Sequence, residues 1–111
     1  MQISIDEEGG STARVSLVGR LDIKGAEVIA MPLATLSGQK QNILLDMSGV
    51  SFLASIGIRH LVTATKSLTR RGGKLILVSP TEIVAEVLTT AGIADIIPMV
   101  GSESEARALL A

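Results

Sequence analysis

Residues 43–78 read ILLDMSGVSFLASIGIRHLVTATKSLTRRGGKLILV. Ile43-Leu44-Leu45 is a short, continuous apolar run that ends at Asp46, the pattern of a strand buried on both faces. From Ser55 onward, Ile58, Leu61, Val62, Thr65 and Leu68 fall at offsets 0, 3, 4, 7 and 10, which is helical spacing. Arg70 and Arg71 stand at the end of that helix, where cations suit the dipole, and Gly72-Gly73 stops it. Leu75-Ile76-Leu77-Val78 is a second buried-strand run. A strand, a helix and a strand in this order are expected to form a right-handed parallel crossover. The stretch from Met47 to Ala54 reads as the loop between the first strand and the helix.

Upstream, apolar residues alternate around Ile3 and Ile5, and again at Ala13, Val15 and Leu17. Glu8-Gly9-Gly10-Ser11 between them is a hairpin turn signal. Asp22 is placed to cap a helix carrying Ala26, Ile29, Ala30 and Leu33 on one face. Pro32 sits inside that pattern, which predicts a kink or a late helix start. Downstream, Ser79-Pro80-Thr81-Glu82 reads as a helix start with Ser79 as the cap, and Ile83, Val87, Leu88 and Ala91 follow on one face. Ile96-Ile97 reads as a short edge strand that Pro98 ends. Ser102-Glu103-Ser104-Glu105 opens a last helix with Ala106, Leu109 and Leu110. The expectation is one α/β domain over residues 1–111, with a mixed sheet of four to five strands and helices packed against it.

Composition narrows the function classes. Ten Lys+Arg against eleven Asp+Glu give a net charge of −1, so no strong field for nucleic acid or an anionic membrane follows. One Phe and no Tyr or Trp leave no stacking platform for single-stranded bases. The absence of Cys removes disulfides, thiolate metal sites and cysteine nucleophiles, and a single His removes multi-histidine metal sites. The start, Met1 to Glu8, turns acidic where a signal peptide is basic and then apolar, and no apolar run is long enough to span a bilayer. A cytoplasmic protein without a cofactor, membrane insertion or nucleic-acid partner is expected.

In open α/β sheets, sites favour the loops beyond the carboxyl ends of parallel strands, which points to residues 46–57. Ser55 is read at the N-cap of its helix, a role worth about 1 kcal/mol. The functional alternative is phosphorylation, which puts close to two negative charges beside the positive end of a helix. A serine nucleophile is the rival, because Leu53-Ala54-Ser55-Ile56-Gly57 half-matches Gly-x-Ser-x-Gly with Leu53 in place of the first Gly. The one candidate base, His60, lies five residues on, or about 140° away around the helix, so the two side chains diverge. Thr69-Arg70-Arg71-Gly72-Gly73-Lys74 lacks phosphate-loop spacing and ends a helix instead of opening one. Phe52 reads as core, since the lone aromatic is needed for volume.

Val18-Gly19-Arg20-Leu21-Asp22, Asp46-Met47-Ser48-x-Val50-x-Phe52, Ser55 with Gly57, and Arg71-Gly72-Gly73-Lys74-Leu75 together resemble the STAS domains of bacterial anti-sigma-factor antagonists. The resemblance covers essentially residues 1–110. It implies that Ser55 is phosphorylated by an anti-sigma serine kinase, that the unphosphorylated form binds this kinase and releases a sigma factor, and that a serine phosphatase restores it. The family usually has Asp before the phosphoserine and often Ser or Thr after it, where this chain has Ala54 and Ile56. The partner-binding face expected on this basis contains Asp22, Ser48, Val50, Ser55, Ile56, Gly57 and Ile58. Related STAS domains also suggest a second use, as a non-switching interaction subunit of a sensory or lipid-transport assembly.

Overall fold

The computed structural model describes residues 1–8 and 10–110; Gly9 of the expected hairpin turn and Ala111 at the end of the expected domain lie outside the described residues. Strands β1 (Gln2–Glu8) and β2 (Thr12–Leu21) precede helix α1 (Ile23–Gln39) and strand β3 (Asn42–Leu53). Helix α2 (Ser55–Arg70), strand β4 (Lys74–Val78) and helix α3 (Glu82–Thr90) follow. A 3₁₀ turn (Ile93–Asp95), strand β5 (Met99–Val100) and helix α4 (Glu103–Leu110) complete the chain. The five strands form one sheet in the order β1-β2-β3-β4-β5. β1 runs antiparallel to β2, and every other pairing is parallel, which needs crossover connections such as the helices supply.

One face of the sheet carries the main core. Val15, Leu17 and Leu21 of β2, Ile43, Leu45 and Met47 of β3, and Leu75 and Leu77 of β4 meet Ile29 and Leu33 of α1, Leu61 and Leu68 of α2, and Val84 and Leu88 of α3. On the other face Leu44, Ile76 and Val78 pack against Ala106 of α4. β3 and β4 are therefore apolar on both sides, which is why their sequences are continuous apolar runs.

Three expectations are corrected. The stretch Met47–Leu53 is strand, not loop: β3 continues beside β2 as far as the pair Leu21–Leu53. Its inward residues Met47, Val50 and Leu53 come three apart because the register shifts twice, between Ser16 and Val18 and between Gly19 and Arg20. Such bulges hide the two-residue alternation by which a strand is recognised. Second, α3 is capped by Thr81, whose Oγ1 accepts from the Val84 N–H at 3.3 Å. Ser79 instead takes a left-handed φ of 52° and ties the end of β4 to β5. Its N–H donates to the Val100 carbonyl and its hydroxyl to the Gly101 carbonyl, both at 2.8 Å. Third, the last strand is Met99–Val100 rather than Ile96-Ile97. Pro98 precedes it, and the Pro98 carbonyl accepts from the Leu77 N–H at 2.9 Å, a bond that needs no proline donor. Of the two alternatives expected at Pro32, a late start is absent: α1 has Asp22 as its cap and continues through Pro32 to Gln39.

Candidate functional site

Leu21 and Leu53 are paired neighbours at the carboxyl ends of β2 and β3. The residues that follow them, Asp22 and Ala54, are the caps of α1 and α2. The two helix starts therefore lie side by side at one edge of the sheet, and the Ala54 N–H donates to the Leu21 carbonyl at 2.9 Å. Gly57 makes this approach possible. A Cβ there would lie 2.7 Å from Leu21 Cγ.

Asp22 Oδ1 accepts from the Gly25 N–H at 2.9 Å. That bond, more than the neighbouring Arg20, holds the Asp22 carboxyl below its ordinary range, because hydrogen bonds to the charged form favour it. Arg20 Nε lies 3.6 Å from Asp22 Oδ2. The Arg20 guanidinium also sits over the Phe52 ring, 4.2 Å from its centre. Phe52 is 39% exposed, so the expectation of a core residue is corrected. It is paired with Arg20 across the strands on the outward face, where the side chain is covered by the cation.

Ser55 is the first residue of α2, not its cap. Ala54 occupies the cap position and offers no side-chain acceptor. The Ala54 carbonyl takes the N–H groups of Gly57 and Ile58, at 3.0 and 3.2 Å. The Ser55 hydroxyl is exposed and has no hydrogen-bond partner among the described residues. An exposed hydroxyl on the first residue of a helix without acidic residues in its first turn stands in a positive potential. Chemically, this is a place where an added phosphate meets the amides of a helix start.

The expected partner-binding residues are not all brought together. Asp22, Ser55 and Ile56 share the edge, with Ile56 half-buried. Gly57 is buried beneath it and shapes the edge without facing out. Val50 is 0% exposed in the main core and offers no surface, which corrects its inclusion. Ser48 is exposed but sits five residues back along β3, about 15 Å away at strand rise. Its N–H donates to Asp46 Oδ1 at 2.9 Å, and it lines a different, polar hollow with Arg14, Ser79 and Glu103. Ile58 is half-buried and lines a groove between α2 and α3 that also holds Ser55, Ile83, Glu86 and Val87. His60 lines another hollow, between α1 and α2, so Ser55 and His60 do not meet.

Sequence reading missed three exposed residues: Ile23 at 70%, next to Asp22, Ile83 at 69%, in the groove, and Arg20. For Ile83 a signal existed. Ile83 with Val87 and Val84 with Leu88 are two neighbouring apolar stripes on a nine-residue helix, and only Val84 and Leu88 are buried in the core. Among the described residues no group of three His, Cys, Asp or Glu side chains is placed to hold a metal ion, and no helix is long and apolar enough to cross a membrane.

The STAS domain family matches residues 3–106, and the chain belongs to that family. An anti-sigma-factor antagonist (STAS) domain protein from Planctomyces limnophilus is 26% identical, with a TM-score of 0.86 over 98% of this chain and 97% of that one. The anti-sigma factor antagonist SpoIIAA in its unphosphorylated form is 23% identical, with a TM-score of 0.84 over 98% and 96% of the two chains. The Bacillus cell fate determinant SpoIIAA in the phosphorylated form gives 22% identity and a TM-score of 0.76 over 99% and 100%. At those identities the SpoIIAA structures speak for the fold. No curated protein sequence matches the chain.

Proposed function

We propose that residues 1–111 act as one STAS unit and as an anti-sigma-factor antagonist working by partner switching. In this reading the unphosphorylated chain binds an anti-sigma serine kinase in the cytoplasm and frees a sigma factor. Phosphorylation of Ser55 ends that binding, and a serine phosphatase reverses it. The protein is a binding module and performs no catalysis of its own. The partner face is the edge formed by Asp22, Ile23, Ser55 and Ile56, with Ile58 beside it.

The observation that carries this reading is the exposed, unbonded Ser55 hydroxyl at the start of α2, whose cap position lacks a side-chain acceptor; Ile23, the first residue of the neighbouring α1, is apolar and exposed. The edge supplies apolar contact area, and the hydroxyl lets charge be added within it. A dianionic phosphate buried against a partner without a counter-charge carries a desolvation cost of several kcal/mol. The test is incubation with ATP and the cognate kinase, the anti-sigma serine kinase whose binding to this chain is shown first. One phosphate is expected, and Ser55→Ala abolishes it. Phosphate mapped to Ser48 or Ser51 overturns the assignment.

A further inference from the structure

Charge along the second half of the chain is sorted by sign. Residues 55–74 contain five Lys or Arg and no Asp or Glu, and residues 75–106 contain five Asp or Glu and no Lys or Arg. In the fold these segments become the two banks of a pair of hollows between α2 on one side and α3 with the 3₁₀ turn on the other. Arg59, Lys66 and Arg70 stand at spacings of seven and four on exposed positions of α2, within about 40° of one another around the helix. Glu82 and Glu86 form the exposed stripe of α3, and Asp95 continues it in the 3₁₀ turn. None of these six side chains has an ion-pair partner among the described residues.

The floor between the banks is apolar and open. Ile58, Ile83 and Val87 line the hollow at Ser55, and Ile96 lines the one at Lys66 and Arg70. Ile83 is 69% and Ile96 56% exposed. Exposed apolar floor with unpaired charge on both rims is the build of an interface, since soluble monomers rarely leave such surface open.

We infer that this surface seats a second copy of the same chain, related by a two-fold axis running lengthwise between the banks. A rotation about that axis exchanges the banks, so each copy's cation row lies over the other's acid row. An axis across the banks would lay cations on cations. Only a surface carrying both signs on opposite rims is complementary to itself, and a two-fold interface is made from one such patch used twice. Arg59 of one copy then faces Glu86 of the other near the Ser55 end, and Lys66 and Arg70 face Asp95 at the far end. The contact is weak and sensitive to salt, because its pairs lie at the surface. It covers Ser55, so a kinase and a second copy compete for the same hydroxyl. The inference does not depend on Ser55 being phosphorylated.

The test is sedimentation equilibrium of the whole chain at concentrations up to about 0.5 mM. Wild type is expected to dimerise in about 0.05 M salt and to dissociate as salt rises to about 0.5 M. Arg59→Glu alone and Glu86→Arg alone are each expected to weaken association about tenfold or more. The double variant, with the wild-type net charge, regains it, because each reversed residue meets the other's reversal across the axis. Ile83→Ser, on an exposed position, abolishes the dimer while leaving the circular dichroism melt unchanged. A chain that stays monomeric throughout, single reversals without effect, or a double variant as weak as the singles overturns the proposal.

Discussion

Asp22 and Ala54 hold the same cap position in two successive strand–helix units, and only Asp22 caps its helix with a side chain. Each follows one member of the pair Leu21–Leu53, and each precedes the first residue of a helix. Asp22 satisfies the Gly25 N–H, whereas the start of α2 has only the Ala54 backbone. Ala54→Asp is therefore expected to stabilise the fold by about 1 kcal/mol, the value of a new cap. Ser55→Ala, which removes no cap, is expected to change stability by less than about 0.5 kcal/mol. Denaturant unfolding of the two variants measures both, and a loss of about 1 kcal/mol in Ser55→Ala would return the capping role to Ser55.

Asp22 gives a pH signature. Its carboxyl titrates below the ordinary 3.8 in the folded state, first through the Gly25 N–H bond. A depressed folded value means that the charged form stabilises the fold above the unfolded value, and that this stability is lost as pH falls through the folded value. Asp22→Asn keeps a capping oxygen and removes the charge. The variant is expected to melt below wild type at neutral pH, with the gap closing as pH falls past 3.8. A gap independent of pH would show that the charge contributes nothing.

Gly57→Ala tests the close approach of α2 to β2. Alanine returns up to about 1 kcal/mol of helix propensity. Against it stands a Cβ only 2.7 Å from Cγ of Leu21, a fully buried side chain. Overpacking of this kind costs about 1–3 kcal/mol, so net destabilisation is expected, read as a lower melting temperature. A more stable variant would show that the Leu21 side chain yields.

The switch is tested at one position with two variants. Ser55→Asp places a charge at the partner edge and is expected to weaken kinase binding about a hundredfold, equivalent to about 2.8 kcal/mol. Ser55→Ala is expected to bind like wild type. Titration calorimetry of the three forms against one partner reads this directly, and equal affinities would favour a non-switching subunit.

The crossover at residues 43–78 was legible because Ile43-Leu44-Leu45 and Leu75–Val78 are buried on both faces and Ser55–Arg70 keeps strict helical spacing. The end of β3 was not. Met47, Val50 and Leu53 follow a three-residue spacing imposed by register shifts against β2, and only the partner strand reveals them. Val50 looked available for the same reason: a residue read as loop turned out to be a buried strand position. Local pattern singled out Ser55 as a helix cap and only the family resemblance made it a phosphoacceptor; its place one residue past the cap depends on where β3 ends. Arg20 over Phe52 joins two strands, and nothing in either segment alone announces it.

The two edges of the sheet bear on how the protein behaves when crowded. β5 offers a rim only two residues long, too short to template the growth of another strand. β1 is longer, but its second half carries Asp6 and Glu7, both exposed, and Glu7 is held by Lys40 at 2.7 Å. Charge along an open rim repels a second strand that tries to extend the sheet. Growth of the sheet is thus disfavoured at β5 and along the acidic half of β1.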